Sequence, residues 1–140
     1  MRNMLEPASA VLLMLTAILT LVQAALGQGR PNMGAFAPAE VIPERPARCN
    51  EVKDVIRDAP SPSGLDRIDF SAAGALSLVH FDGVLAYVGI CDEPDAKVLC
   101  VTYSTNGLGI GDPVIVTGSY RKMAPNFVIL DPCLTKRPEP

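Results

Sequence analysis

Four cysteines, Cys49, Cys91, Cys100 and Cys133, are the residues of this 140-residue chain best suited to chemistry. Thiols serve as metal ligands, as a redox couple, or as cross-links. Zinc wants closely spaced ligands and usually histidine, whereas no CxxC occurs here and His80 is the only histidine. A redox thiol needs exposure with a neighbouring base, or CxxC spacing. An even, widely spaced set in a small domain reads instead as two disulfides. Cys91 and Cys100 flank a turn, so a cross-strand bridge suits them, and Cys49 with Cys133 would pair by default. Four cysteines allow three pairings, and spacing alone does not choose among them.

Other reactive side chains are sparse. In CDEPDAK, Asp92, Glu93 and Asp95 cluster as hard cations prefer, but the turn lacks the length and ligand count of a calcium loop and reads as solvated acids. His80 stands beside Phe81 with no serine or cysteine placed as a nucleophile partner. No acid, base and nucleophile set emerges, so a noncatalytic protein without a cofactor is expected. Tyr87, Tyr103 and Tyr120, with Arg121 and Lys122 at a loop tip, form a possible ligand face. Tyrosines at alternating strand positions also pack half-buried, and loop-tip cations are often plain surface charge.

The chain opens with MRNMLEPASAVLLMLTAILTLVQAALG, in which Arg2 precedes an uncharged run from Ala8 to Val22 and small residues Ala25 and Gly27 follow. This layout predicts a secretory signal over 1–27, cut after Gly27 or Ala24. The alternative is an uncleaved anchor, since the run extends to Leu26, close to the roughly 20 residues a spanning helix needs. Ser9, Thr16, Thr20 and Gln23 weigh against it, and a membrane contact is expected only in that case. A periplasmic or secreted location follows, where disulfides persist. From Leu65 to Cys133 the basic residues are Arg67, Lys97, Arg121 and Lys122, against Asp66, Asp69, Asp82, Asp92, Glu93, Asp95, Asp112 and Asp131. That balance repels a phosphate backbone, so nucleic acid is not an expected partner.

The elements that must position these residues divide the chain in two. Residues 28–63 carry Pro31, Pro38, Pro43, Pro46, Pro60 and Pro62 and predict a proline-rich linker or arm. Its one short helix falls near 50–58, with Asn50 as cap, Val52, Val55 and Ile56 on one face and Pro60 as the stop. From 64 to 134, short Val/Ile/Leu/Tyr runs punctuated by glycine and proline predict an all-β domain, with a tail at 135–140. Leu76 to Val88 is interrupted by Asp82-Gly83, either a hairpin turn or a bulge in one long strand. Gly89–Asp92 and Lys97–Tyr103 flank the turn EPDA, and STNGLGIGD reads as a loop. Val114–Arg121 and Asn126–Leu130 close the pattern, joined by KMAPN, with Val114, Val116, Gly118 and Tyr120 facing inward. Bends at Gly83 and Gly118 suit a small closed barrel of five strands.

FDGVLAYVGI (81–90), KVLCVTY (97–103), GDPVIVTGSY (111–120) and NFVILDPC (126–133) together resemble an OB-fold protein of the tRNA-anti-like or periplasmic bacterial OB-domain type. The resemblance covers roughly residues 65–134 and implies a five-stranded OB-like barrel. It departs where a helix usually joins the third and fourth OB strands, reduced here to STNGLGI. The class includes a haem chaperone that binds through a histidine, but no such motif surrounds His80. The expected function is an exported, noncatalytic OB-like binding or interaction module for a protein or small ligand. Single-stranded nucleic-acid or oligosaccharide binding by the barrel face is the alternative, and a thiol redox protein the second.

Overall fold

A computed structural model describes residues 33–39, 41–59 and 66–140. The expected signal segment 1–27 lies outside the described residues, as do positions 28–32, 40 and 60–65. The described residues form seven strands: β1 (Phe36–Pro38), β2 (Ala47–Arg48), β3 (Ile68–Phe81), β4 (Ala86–Ile90), β5 (Lys97–Thr102), β6 (Pro113–Ala124) and β7 (Phe127–Lys136). A short 3-10 helix (Met33–Ala35) precedes β1, and an α-helix, α1 (Cys49–Arg57), follows β2.

Strands β3 to β7 form a closed five-stranded barrel in the order β3-β4-β5-β7-β6, with β6 returning to β3. Closure depends on the 14-residue length of β3. Asp69 to Ala75 pair with β6 and Leu76 to Phe81 with β4, so one strand serves two neighbours. At the changeover Leu76 faces Ile90 but Leu78 faces Gly89, leaving Ser77 as an extra residue. A bulge of this kind bends the strand and raises its twist, which a small barrel requires. β5 runs parallel to β7, and the remaining barrel pairs are antiparallel.

Alternation then decides what fills the interior. Phe70, Ala72, Leu76, Val88, Ile90, Val98, Val114, Val116, Val128 and Leu130 are all buried in one cluster. The inward face of β6 is the expected one, with Val114, Val116, Gly118 and Tyr120 buried. Gly118 permits close approach of β7: a Cβ there would collide with the Pro132 carbonyl and lie 2.8 Å from Cys133 Cα. Register slips beside it, from Gly118 opposite Cys133 to Tyr120 opposite Leu130. The surplus residue falls at Asp131-Pro132, where an interrupted ladder tolerates a proline with no N–H to donate.

Several boundaries differ from expectation. β3 begins at Ile68 rather than Leu76, because Ser71, Ala72, Ala73, Gly74 and Ala75 are small and give no strong strand signal. Asp82–Leu85 is a hairpin turn and not a bend within one strand, with Gly83 at φ +102°. β6 runs on to Ala124 and β7 to Lys136, so only Pro125 and Asn126 turn the hairpin and the strand takes in the start of the expected tail.

The proline-rich arm is part of the core where it is described. β1 pairs antiparallel with β3 (Phe36 opposite Phe70) and β2 parallel (Ala47 opposite Ala72), covering an edge that β4 leaves open. The Phe36 ring lies 4.8 Å from Phe70 and meets Tyr120 edge-on at 5.0 Å. In α1, Val52, Val55 and Ile56 are buried as expected. Asn50 is not the cap: it is the second residue of the helix, and Arg48 occupies the N-cap. Glu51 accepts the Arg48 N–H at 2.9 Å and is held by Arg45 at 3.0 Å, while an Arg48 side chain, having only donors, cannot cap in return. No helix occupies residues 103–112, and the core is covered instead by α1 and by Leu108.

Two disulfides complete the fold, Cys49–Cys91 and Cys100–Cys133. The expected Cys91–Cys100 and Cys49–Cys133 pairing is therefore overturned. β4 and β5 place Val88 opposite Cys100 and Ile90 opposite Val98, so Cys91 lies beyond the end of β4 and out of step with Cys100. Cys100 instead points inward beside β7, and Cys91 turns towards the start of α1, tying the arm to the barrel. A pair of bridges is consistent with an oxidising compartment.

Candidate functional site

The outward face of β3, β4 and β5 is unusually apolar for a surface expected to meet water. Inward residues Ala86, Val88 and Ile90 leave Tyr87 and Gly89 pointing out of β4, and inward Val98, Cys100 and Thr102 leave Leu99 and Val101 pointing out of β5. Register stacks them in rows: Leu78, Gly89, Leu99 and Ile129 lie opposite one another in turn, then His80, Tyr87 and Val101. Because Gly89 has no side chain, the first row dips between Leu78 and Leu99 and its backbone can be closely approached. Leu78 leans over it, its Cβ 3.0 Å from where a Gly89 Cβ would stand. A cavity of about 280 Å³ results, walled by Leu78, Leu99 and Phe127, floored by Gly89, and flanked by Asp92 and Lys97.

At one end of this face the β3–β4 hairpin is organised by Asp82. Its Oδ1 accepts the N–H groups of Val84 and Leu85, both at 2.8 Å, and the Tyr87 hydroxyl donates to Oδ2 at 3.1 Å. The Leu85 and Val84 amides, with Tyr87, hold the Asp82 carboxyl below its usual range, and the same bond raises the Tyr87 phenol. His80 lies beside Tyr87 with ring centres 6.1 Å apart. Histidine, tyrosine and aspartate thus meet, yet each hydrogen bond is used to shape the turn. Nothing among these contacts presents a nucleophile to a substrate.

The five residues expected as a ligand face do not gather. Tyr87 is on the outer face, and Tyr103, just beyond β5, is 77% exposed. Tyr120 is only 7% exposed, its ring inside the Phe36 and Phe70 cluster and its phenol pushed up to about 12 by burial. It belongs to the core and not to a binding surface. Arg121 faces outward opposite Ile129, whereas Lys122 turns to α1 and donates to the Ile56 carbonyl at 3.0 Å. Leu78, Gly89, Leu99 and Phe127 escaped sequence reasoning because a groove across three strands requires the register. The one available signal was glycine within the apolar run AYVGI, where a missing side chain marks a hollow or a close approach.

All four cysteines are in disulfides, which leaves no thiolate for a metal or a redox step in the oxidised protein. Among the described residues, no group of three histidine, cysteine, aspartate or glutamate side chains is placed to hold a metal ion. Also among them, no helix is long and apolar enough to cross a membrane. No protein-family model matches the chain, and no curated protein matches it in sequence.

Proposed function

We propose that this chain is an exported, noncatalytic binding module of the OB-like type, periplasmic or secreted, which takes an apolar side chain of a partner protein into the groove between Leu78 and Leu99. The observation that carries the reading is the 280 Å³ hollow over Gly89, apolar in its walls and flanked by one acid and one base. Its size suits a single side chain better than a large cofactor, and Asp92 with Lys97 can meet the polar backbone around that side chain. Membership of the OB class draws support from the residue patterns at 81–90, 97–103, 111–120 and 126–133, and from a first barrel strand shared between the second and fourth. Export draws support from the uncharged N-terminal run and from the two disulfides.

Exposed Tyr103 and half-buried Tyr87 favour oligosaccharide as the second reading, since sugar rings stack on such faces. Single-stranded nucleic acid is disfavoured by the acidic balance of the barrel. Amide-resolved NMR titration with N-acetyl-leucine amide, chitotriose and a thymidine oligonucleotide separates the three. Saturable shifts at Leu78, Gly89, Leu99 and Phe127 with the leucine probe are expected. Shifts with chitotriose around Tyr87 and Tyr103 alone would replace the proposal with the sugar reading, and salt-sensitive shifts with the oligonucleotide would replace both.

A further inference from the structure

A second cavity, of about 490 Å³, lies between α1 and the β6–β7 hairpin and is lined by Lys53, Arg57, Lys122, Pro125 and Asn126. Three cationic side chains and an amide therefore line one cavity on a domain whose overall charge is negative. Each lysine is anchored by a single bond to a backbone carbonyl: Lys53 donates to Pro94 O at 2.9 Å and Lys122 to Ile56 O at 3.0 Å. An ammonium has three donors, so each keeps two for a ligand. Neither lysine pairs with a carboxylate among the described residues. Arg57 is held from one side by Asp54 at 2.9 Å and by Asp58 at 3.8 Å, which fixes the guanidinium yet leaves donors of its planar fork unused. The Lys122 bond also occupies a carbonyl near the C-terminal end of α1, whose partial negative charge would otherwise oppose an anion.

From this arrangement we infer that the cavity is a binding site for a small oxyanion, a phosphate or sulfate monoester, free or carried on a sugar. Such a group presents several acceptor oxygens around one centre, and three cationic side chains around one cavity answer that shape while the apolar groove over Gly89 does not. The elements explain why the three side chains share one cavity. Lys53 and Arg57 are four residues apart on one face of α1, and Lys122, just before a register shift in β6, is brought to α1 by its bond to the Ile56 carbonyl. Specificity for a monoester over a diester follows from charge: a dianion gains more from three cations than a monoanion does. This site is separate from the groove over Gly89, and either can fail without the other.

The test is titration of the oxidised protein with inorganic phosphate and with glucose 6-phosphate at low ionic strength, followed through backbone amides. Saturable shifts at Lys53, Arg57, Lys122 and Asn126 are expected with at least one of them, and the tighter of the two identifies the source. Lys53→Gln and Arg57→Gln should each weaken binding about tenfold, the scale of one charge-assisted bond. Arg121→Gln, a neighbouring cation that faces away, should leave it unchanged. Lys53 and Arg57 are exposed, so these variants keep the fold, and their spectra verify that. Shifts that never saturate, or an equal loss in Arg121→Gln, would overturn the site.

Discussion

Tyr120 carries a buried hydroxyl with no hydrogen-bond partner among the described residues, inside an aromatic cluster with Phe36 and Phe70. An unmet polar group of this kind costs about 1–3 kcal/mol, whereas the ring contributes packing. Tyr120→Phe should accordingly leave stability unchanged or raise it by about 1 kcal/mol, and Tyr120→Ala should lower it by about 3–5 kcal/mol, both read by urea unfolding. A loss of more than about 1 kcal/mol in the phenylalanine variant would mean that the hydroxyl has a partner. Asp82 shows the opposite case, a surface carboxylate that accepts three hydrogen bonds. Its folded-state pKa is depressed, so its contribution is complete above the ordinary carboxylate range near pH ~4 and is lost as pH falls through the lower folded value. The Val84 and Leu85 amide resonances should therefore titrate with a midpoint below that of an ordinary aspartate, and Asp82→Asn should abolish that titration. A midpoint at or above the ordinary value would contradict the hairpin geometry.

At the scale of elements, close contacts at glycines hold the barrel and its arm together. A Cβ at Gly74 would stand 2.6 Å from Cys49 Sγ, so the bridge from α1 to Cys91 runs directly over the β3 backbone. Gly74→Ala should cost about 1–3 kcal/mol, and the cost should shrink in a Cys49→Ala/Cys91→Ala background, where the sulfur is gone. Equal costs in both backgrounds would place the strain elsewhere. These contacts also mark how far the sequence could be read. Strand texture, the inward face of β6 and the apolar face of α1 were legible, because each depends on residues near one another in the chain, whereas Asp82-Gly83 read equally as a turn or a bulge until the β3–β4 register decided it. The first half of β3 was not, since its Ser, Ala and Gly residues acquire a strand's role only by lying between β6 on one side and β1 and β2 on the other. Disulfide pairing failed for a related reason: two cysteines flanking a turn look adjacent, and only the register shows Val88 standing where Cys91 was expected. The groove and the basic cavity were illegible alike, each assembled from segments far apart in sequence.

For the whole molecule, the cross-links and the barrel answer one problem. A domain this small buries limited apolar area, and chain entropy assigns about 4 kcal/mol to each bridge, with closed loops spanning 33 and 42 positions. The two therefore contribute alike on entropic grounds, and their difference is one of place: Cys100–Cys133 is within the barrel core, while Cys49–Cys91 joins the helix to it. Stability that rests on both would be lost in a reducing compartment. The central claim, an oxidised barrel that works outside the cytoplasm, is thus tied to one observable pattern of covalent bonds. Mass mapping of the non-reduced protein from its native source tests it most directly. The expected result is a chain beginning after Gly27 or Ala24 with Cys49 joined to Cys91 and Cys100 to Cys133; an intact N-terminus with four free thiols would contradict it.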